Sequence, residues 1–270
     1  MARSVLFLML IVVANVALAL LYAFSFLSLP LVAFFWFLLA AFTTYLLMHP
    51  RSQWLVANRS RLASSDCVAL TFDDGPDPVD TPRLLDLLQA LDVKATFFVV
   101  GKRAEQYPEI VRRAWQEGHL IANHTWSHRL LFCFLTPRRL AQEVEWGAQS
   151  VQRHCGIRPR YFRSPVGLRH PLLGISLQKA QLEFISWQVR SYDTIIKRPA
   201  VLKRRILKKT VGGDIILLHD HLPSGTDVML QALPDIVAGL RQRGMKFALV
   251  GSRGDLDIAV PRPIQIKKYS

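Results

Sequence analysis

The stretch Cys67-Val68-Ala69-Leu70-Thr71-Phe72-Asp73-Asp74-Gly75-Pro76 decides the fold class. Residues 67–72 are a short apolar, β-prone run, and Gly75-Pro76 ends it by turning the chain away. Two adjacent carboxylates, Asp73 and Asp74, are thereby held at the carboxyl end of a strand. In parallel α/β barrels that end is where sites are built, with one carboxylate free to bind a metal while its neighbour takes a proton. Taken alone, the same four residues serve equally well as an acidic turn capping the next helix.

Working outward, similar short runs recur at 95–100, 161–162, 184–187, 214–218 and 246–250, with 119–122 as a weaker candidate. Longer amphipathic stretches separate them. One helix starts at Thr81-Pro82 and runs through Leu84, Leu85, Leu87, Leu88 and Leu91, and another starts at Thr136-Pro137. Proline is tolerated there because the first helical N–H has no partner to lose. Strands alternating with helices imply parallel strands joined by crossovers. About seven such units fit between residues 66 and 251. The expected class is therefore α/β, as an incomplete or distorted (β/α)7 barrel rather than a doubly wound open sheet.

Other strand tips carry polar groups as well. His124-Thr125-Trp126-Ser127-His128 follows the 119–122 run, and two histidines four apart reach one face of a helical turn. The chain holds 8 His, so chance could supply such a pair. Together with Asp74, however, His124 and His128 make a three-ligand set that leaves coordination open for water and substrate. Mixed imidazole and carboxylate ligands suit zinc first, with cobalt, manganese and nickel as the other candidate divalent ions. Arg163-Ser164-Pro165 follows the 161–162 run, and His219 ends the 214–218 run. Singly, an arginine is a surface residue and a histidine a carbonyl cap; their recurrence at strand tips is what points to a site.

Five motifs in order now resemble one family: Thr-Phe-Asp-Asp-Gly-Pro at 71–76, His-Thr-Trp-Ser-His at 124–128, Arg-Ser-Pro-Val-Gly at 163–167, Asp193, and Leu-Leu-His at 217–219. The chain resembles the NodB-like polysaccharide deacetylases (carbohydrate esterase family 4) over residues 67–251. The resemblance implies Asp73 as general base, Asp74, His124 and His128 as metal ligands, and His219 as general acid. It further implies that Arg163 holds the base carboxylate and that Asp193 orients and tunes the acid histidine. Pro165, Val166 and Leu217 fall at the substrate and oxyanion positions, the Val166 backbone N–H being the candidate oxyanion donor. Two positions depart from the family pattern: Val166 replaces a frequent aromatic residue, and Thr194 a common tryptophan. Both leave the sugar open.

Residues 5–48 are almost wholly apolar and are divided by Pro30. Each part, about 5–29 and 31–48, approaches the roughly 20 residues that span a bilayer. A signal peptide would have an apolar region of only about 7–15 residues. A transmembrane hairpin over 1–48 is thus expected, followed by a juxtamembrane linker (49–65), the deacetylase domain (66–251) and a basic tail (252–270). Arg3 precedes the spans and Arg51, Arg59 and Arg61 follow them, with no charge in the turn. By the positive-inside rule both ends face the cytoplasm, which puts the catalytic domain on the cytoplasmic side of a bacterial inner membrane; a periplasmic domain is the alternative. Cys67, Cys133 and Cys155 show no disulfide framework.

The net charge of +14 comes from 34 Lys and Arg against 20 Asp and Glu. No nucleic-acid reader motif accompanies it, so nucleic acid is not expected, and anionic lipid headgroups are the favoured partner of the basic surface. Protein partners are not indicated. The function expected is a metal-dependent deacetylase acting on the N-acetyl group of an amino sugar, in a glycan or a lipid-linked saccharide. The alternatives are a deacylase of an O-acetyl ester or a non-sugar amide, and a catalytically silent glycan-binding membrane protein or scaffold.

Overall fold

A computed structural model describes residues 2–49 and 52–251 of the chain, so the tail read over 252–270 lies outside the described residues. Two apolar helices, α1 (Ala2–Ala23) and α2 (Leu29–Met48), form a hairpin. Their stretches Leu6–Ala23 and Leu29–Met48 are long and apolar enough to cross a membrane. The first span is shorter than its apolar run suggests: the chain turns at 24–28, with Ser25 left-handed at φ 59°. Pro30 then starts α2 instead of sitting in the turn, as its fixed φ and missing N–H favour.

Beyond the hairpin the strands are β1 (Asn58–Arg59), β2 (Cys67–Asp73), β3 (Thr96–Val99), β4 (Leu120–Asn123), β5 (Tyr161–Phe162), β6 (Glu183–Ile185), β7 (Val189–Arg190), β8 (Ile215–His219) and β9 (Lys246–Phe247). They pair in parallel in the order β1-β6-β5-β4-β3-β2-β8-β7, with β9 beside the start of β2. No pairing joins β1 to β7 among the described residues, so the sheet is a curled, open half-barrel. The helices are α3 (Asp80–Ala90), α4 (Gly101–Gln106), α5 (Pro108–Gln116), α6 (Pro137–Cys155), α7 (Leu173–Ala180), α8 (Pro199–Lys209) and α9 (Asp227–Gln242). As its Thr-Pro start predicts, α6 is capped by Thr136, whose side chain accepts from the Arg139 N–H.

The stretch read as a linker is not one throughout. Its residues 58–59 pair with β6, Leu55, Val56 and Leu62 are buried, and Arg61 bridges to Asp214. The cause is the exposed edge of β6, whose unpaired backbone groups gain partners when the chain leaving α2 lies along it.

β2 shows why the domain closes on itself. Val68, Leu70 and Phe72 join the core beneath the helices, whereas Cys67 and Ala69 join a second core inside the curl. Strand side chains alternate, and a strand buried on both faces reads as a continuous apolar run. Each fully buried Leu or Phe on these faces contributes about 1.5–3 kcal/mol. On the inner face the series continues to Thr71 and Asp73, so polarity rises toward the carboxyl end, where the site lies.

Candidate active site

Register brings the site residues level. Asp73 pairs with His219 across β2 and β8, and Asn123 pairs with Phe162 across β4 and β5. His124 and Arg163 each come one residue later, and the Arg163 N–H donates to the Asn123 carbonyl at 3.0 Å. Asp193 lies three residues past β7, which pairs with β8 through Arg190 and Leu217.

Asp74 has φ 79°, in the left-handed region that non-glycine residues rarely occupy. A pleated strand would send Asp73 and Asp74 to opposite faces. Here the left-handed turn lets both reach the same imidazole: His124 Nε2 lies 3.2 Å from Asp74 Oδ1 and 3.8 Å from Asp73 Oδ2. His128 Nε2 is 2.9 Å from Asp74 Oδ1, and the three candidate ligand atoms all lie within 4.8 Å of one another. The histidine pair is not on a helical turn, contrary to the reading of its four-residue spacing. Residues 124–128 are a loop in which Thr125 (φ 68°) and His128 (φ 49°) are both left-handed. The loop is pinned by the Asn123 carboxamide, which accepts from the Thr125 N–H, and by Glu143, which accepts from Ser127. Strain of this kind, paid at roughly 1–3 kcal/mol per residue, persists where surrounding contacts over-determine the geometry.

The donor set fits a divalent metal. His124 Nδ1 meets the Arg163 carbonyl at 2.8 Å, which fixes the tautomer with the proton on Nδ1 and turns the Nε2 lone pair toward Asp74 and His128. Despite its burial, Asp74 is held far below the usual carboxylate range by hydrogen bonds and charge from His124 and His128. His124 is fully buried, yet Asp73 and Asp74 raise its pKa against that burial. A concentration of negative potential facing two imidazoles is what a cation would neutralise.

Next to this triad Arg163 is completely buried. It donates to Asp73 Oδ1 at 2.6 Å, Thr71 Oγ1 at 2.9 Å and the carbonyls of Ile185 and Ser186, and its guanidinium lies 3.9 Å from the centre of the Phe98 ring. Burial lowers its pKa and Asp73 raises it. His219 Nδ1 meets Asp193 Oδ1 at 2.8 Å, and the His219 N–H donates to Asp193 Oδ2 at 2.8 Å. Burial works against the imidazolium, but Asp193 first, then Asp73 and Asp74, hold the His219 pKa up at about 9. Pro165 and Leu217 are buried, and Val166 is half-exposed with φ 56°, a rare conformation for a β-branched residue.

Residue-type reading passed over several supporting groups. The fully buried Asp220 accepts from the Gly75 N–H and Thr81 Oγ1 and so ties the turn after Asp74 to the tip of β8. Burial pushes its carboxyl up to about 7. A Cβ on Gly75 would lie 2.0 Å from that carboxylate, so glycine is required there. His221, which no motif marks, joins Asp77 at 2.8 Å and Arg103 at 2.6 Å. No sequence spacing announces these contacts, because each spans more than 100 residues.

A curled parallel sheet with two carboxylates, three imidazoles and a buried guanidinium converging at its carboxyl end defines the class: a hydrolase of the carbohydrate esterase kind. The chain belongs to the polysaccharide deacetylase family, whose sequence model matches residues 61–185. A Bacillus cereus peptidoglycan-N-acetylglucosamine deacetylase is 34% identical over 191 residues, covering 68% of this chain and 67% of the relative. A Bradyrhizobium chitooligosaccharide deacetylase is 34% identical over 204 residues, covering 70% and 91%. Among solved structures, a peptidoglycan N-acetylglucosamine deacetylase in complex with 4-naphthalen-1-yl-N-oxidanyl-benzamide superposes with a TM-score of 0.67 at 31% identity, covering 72% of this chain and 90% of the other. A family 4 carbohydrate esterase from Streptomyces lividans in complex with acetate gives 0.63 at 29% identity, covering 68% and 93%.

Proposed function

We propose that this protein is a metal-dependent deacetylase that hydrolyses the N-acetyl group of an amino sugar, anchored to a membrane by the hairpin 1–48 with its catalytic domain on the cytoplasmic side. One observation carries the chemistry: the Asp74–His124–His128 cluster stands at the same strand tips as an Asp73–Arg163 pair and a His219–Asp193 pair. That arrangement offers a base and an acid, each with its own charged partner, beside one cation position. The relatives named above act on peptidoglycan N-acetylglucosamine or chitooligosaccharides, which favours an N-acetylated glycan as the substrate class.

In this reading Asp74, His124 and His128 hold the ion, zinc first among the divalent candidates. When bound, the ion supplies Lewis-acid polarisation of the acetamide carbonyl. Asp73, held in place by Arg163, accepts the proton of the attacking water. The Val166 backbone N–H donates to the developing oxyanion, with Pro165 and Leu217 walling the acetyl group. His219 delivers a proton to the departing amine nitrogen, because an amine leaves poorly unprotonated, and Asp193 keeps that imidazolium oriented and available.

The reading is tested by acetate release from N-acetylglucosamine oligomers by the full chain. Activity should vanish on chelation, return with zinc or cobalt, and be absent in Asp74→Ala, whose metal content by elemental analysis should fall with it. Undiminished turnover by metal-free protein would remove the metal from the mechanism.

A pH prediction follows from the His219–Asp193 pair. With its pKa raised to about 9, His219 carries its proton through neutral pH and loses it as pH rises through that value. The rate should therefore hold to near pH 9 and fall above it. Asp193→Asn removes the group that raises the pKa, so the alkaline limb should move to lower pH and kcat should drop by roughly 10²-fold or more. A limb that stays in place in this variant would detach it from His219.

A further inference from the structure

We propose that the loop 129–135 sits in the same bilayer as the α1–α2 hairpin, so that the site opens onto the membrane surface and takes an N-acetylated sugar carried on a lipid. The substrate half of this inference rests on the deacetylase reading; the membrane half does not.

The loop presents apolar side chains outward by construction. Leu130, Leu131 and Phe134 are 65%, 68% and 77% exposed, while Phe132 and Cys133 between them are buried. Phe132 anchors the turn, its ring 6.1 Å from that of Phe162 in the core. Three large exposed apolar groups on one short turn is a costly arrangement in water and a favourable one at a lipid boundary.

Its position is tied to both the hairpin and the site. Leu130 follows the candidate ligand His128 by two residues, so their Cα atoms are no more than about 7 Å apart. At the other end His170 Nε2 meets the Leu135 carbonyl at 2.9 Å. The neighbouring Arg169 is fully buried, donates its backbone N–H to the Leu47 carbonyl at 3.1 Å and its guanidinium to the His49 carbonyl, and packs over the Phe184 ring at 5.0 Å. The segment that carries Arg163 and Val166 therefore runs directly onto the carboxyl end of α2, with the apolar loop beside it.

Two further features mark this level as an interface. Trp54, 60% exposed, lines an apolar cavity with Leu6, Phe7, Leu10 and Gln53, beside the ends of both helices; tryptophan at the end of a span is a headgroup-level anchor. Arg129, Arg138 and Arg139 are exposed around the loop, a basic collar that complements anionic headgroups. An apolar tip inside a basic ring, continuous with two spans, fits a bilayer better than a protein partner. A mouth pressed to that surface meets sugars attached to lipids ahead of free polymer strands.

The test uses the full chain in nanodiscs of phosphatidylethanolamine and phosphatidylglycerol. An NBD fluorophore placed at Leu131→Cys should be quenched by lipids carrying a nitroxide on the acyl chain, whereas one at Val211→Cys, exposed at the opposite end of β8, should not; the native cysteines are buried. Lack of quenching at 131 overturns the membrane seat. In the same discs, Leu130→Ser/Leu131→Ser/Phe134→Ser should hydrolyse N-acetylglucosamine on a polyprenyl diphosphate at least roughly tenfold more slowly, and a soluble N-acetylglucosamine tetramer within about twofold of the parent rate. Equal loss on both, or none on the lipid-linked sugar, overturns the link between loop and substrate. If the unaltered chain turned over neither sugar, the substrate assignment would fall with the deacetylase reading, and the quenching result would still decide the membrane seat.

Discussion

Asp73→Asn is expected to lower kcat by roughly 10²–10⁴-fold, the range that removal of a positioned general base produces. Asparagine keeps the size of the side chain and an oxygen for the Arg163 Nη1 now 2.6 Å from Asp73 Oδ1, so the fold and the guanidinium should stay in place. What it loses is the ability to take a proton from water. Metal binding by calorimetry should be retained, since Asp74 supplies the carboxylate that touches both imidazoles. A variant within tenfold of the parent rate, with full metal, would sink the base assignment and make Asp73 a structural partner of Arg163.

Arg163→Met should cost about 3–5 kcal/mol of stability, read as a drop in urea midpoint, and abolish measurable turnover. The guanidinium and the Asp73 carboxylate are both almost completely removed from water. Removing the cation leaves a buried negative charge with no partner, in a site where Asp74 adds another. The double variant Arg163→Met/Asp73→Asn should therefore recover part of the lost stability and none of the activity. A single variant costing under about 1 kcal/mol would show that the pair is solvated, as surface pairs are.

Much of the fold was legible because one signal is local. The apolar run 67–72 and the Thr-Pro start of α6 follow from strand and helix propensities within a few residues, as does α3, which begins at Asp80, just ahead of Thr81-Pro82; their alternation implies a parallel sheet. The short β7 was missed, since two residues carry no periodicity. β1 was missed for a different reason: Asn58–Arg59 is polar and becomes a strand only because β6 offers it an unpaired edge. The His124–His128 spacing suggested a helix, but the loop takes left-handed turns at Thr125 and His128, held locally by the Asn123 side chain and from α6 by Glu143. Spacing reports which groups can converge; it does not report the backbone that converges them.

The residue types at the strand tips, and the order of the five motifs, were determined by the sequence by itself, because polar, chemistry-bearing groups recur at the end of one apolar strand after another. So was the presence of two apolar spans, although the first ends at Ala23, before its apolar run does. The tertiary structure decided what those groups touch: the Asp220 brace beneath Gly75, the His221–Asp77–Arg103 cluster, the Arg169 seat on α2, and the outward face of the loop 129–135. The first three join elements far apart in the chain and the fourth is what packing leaves exposed; all are set by strand register and packing, which no local pattern encodes.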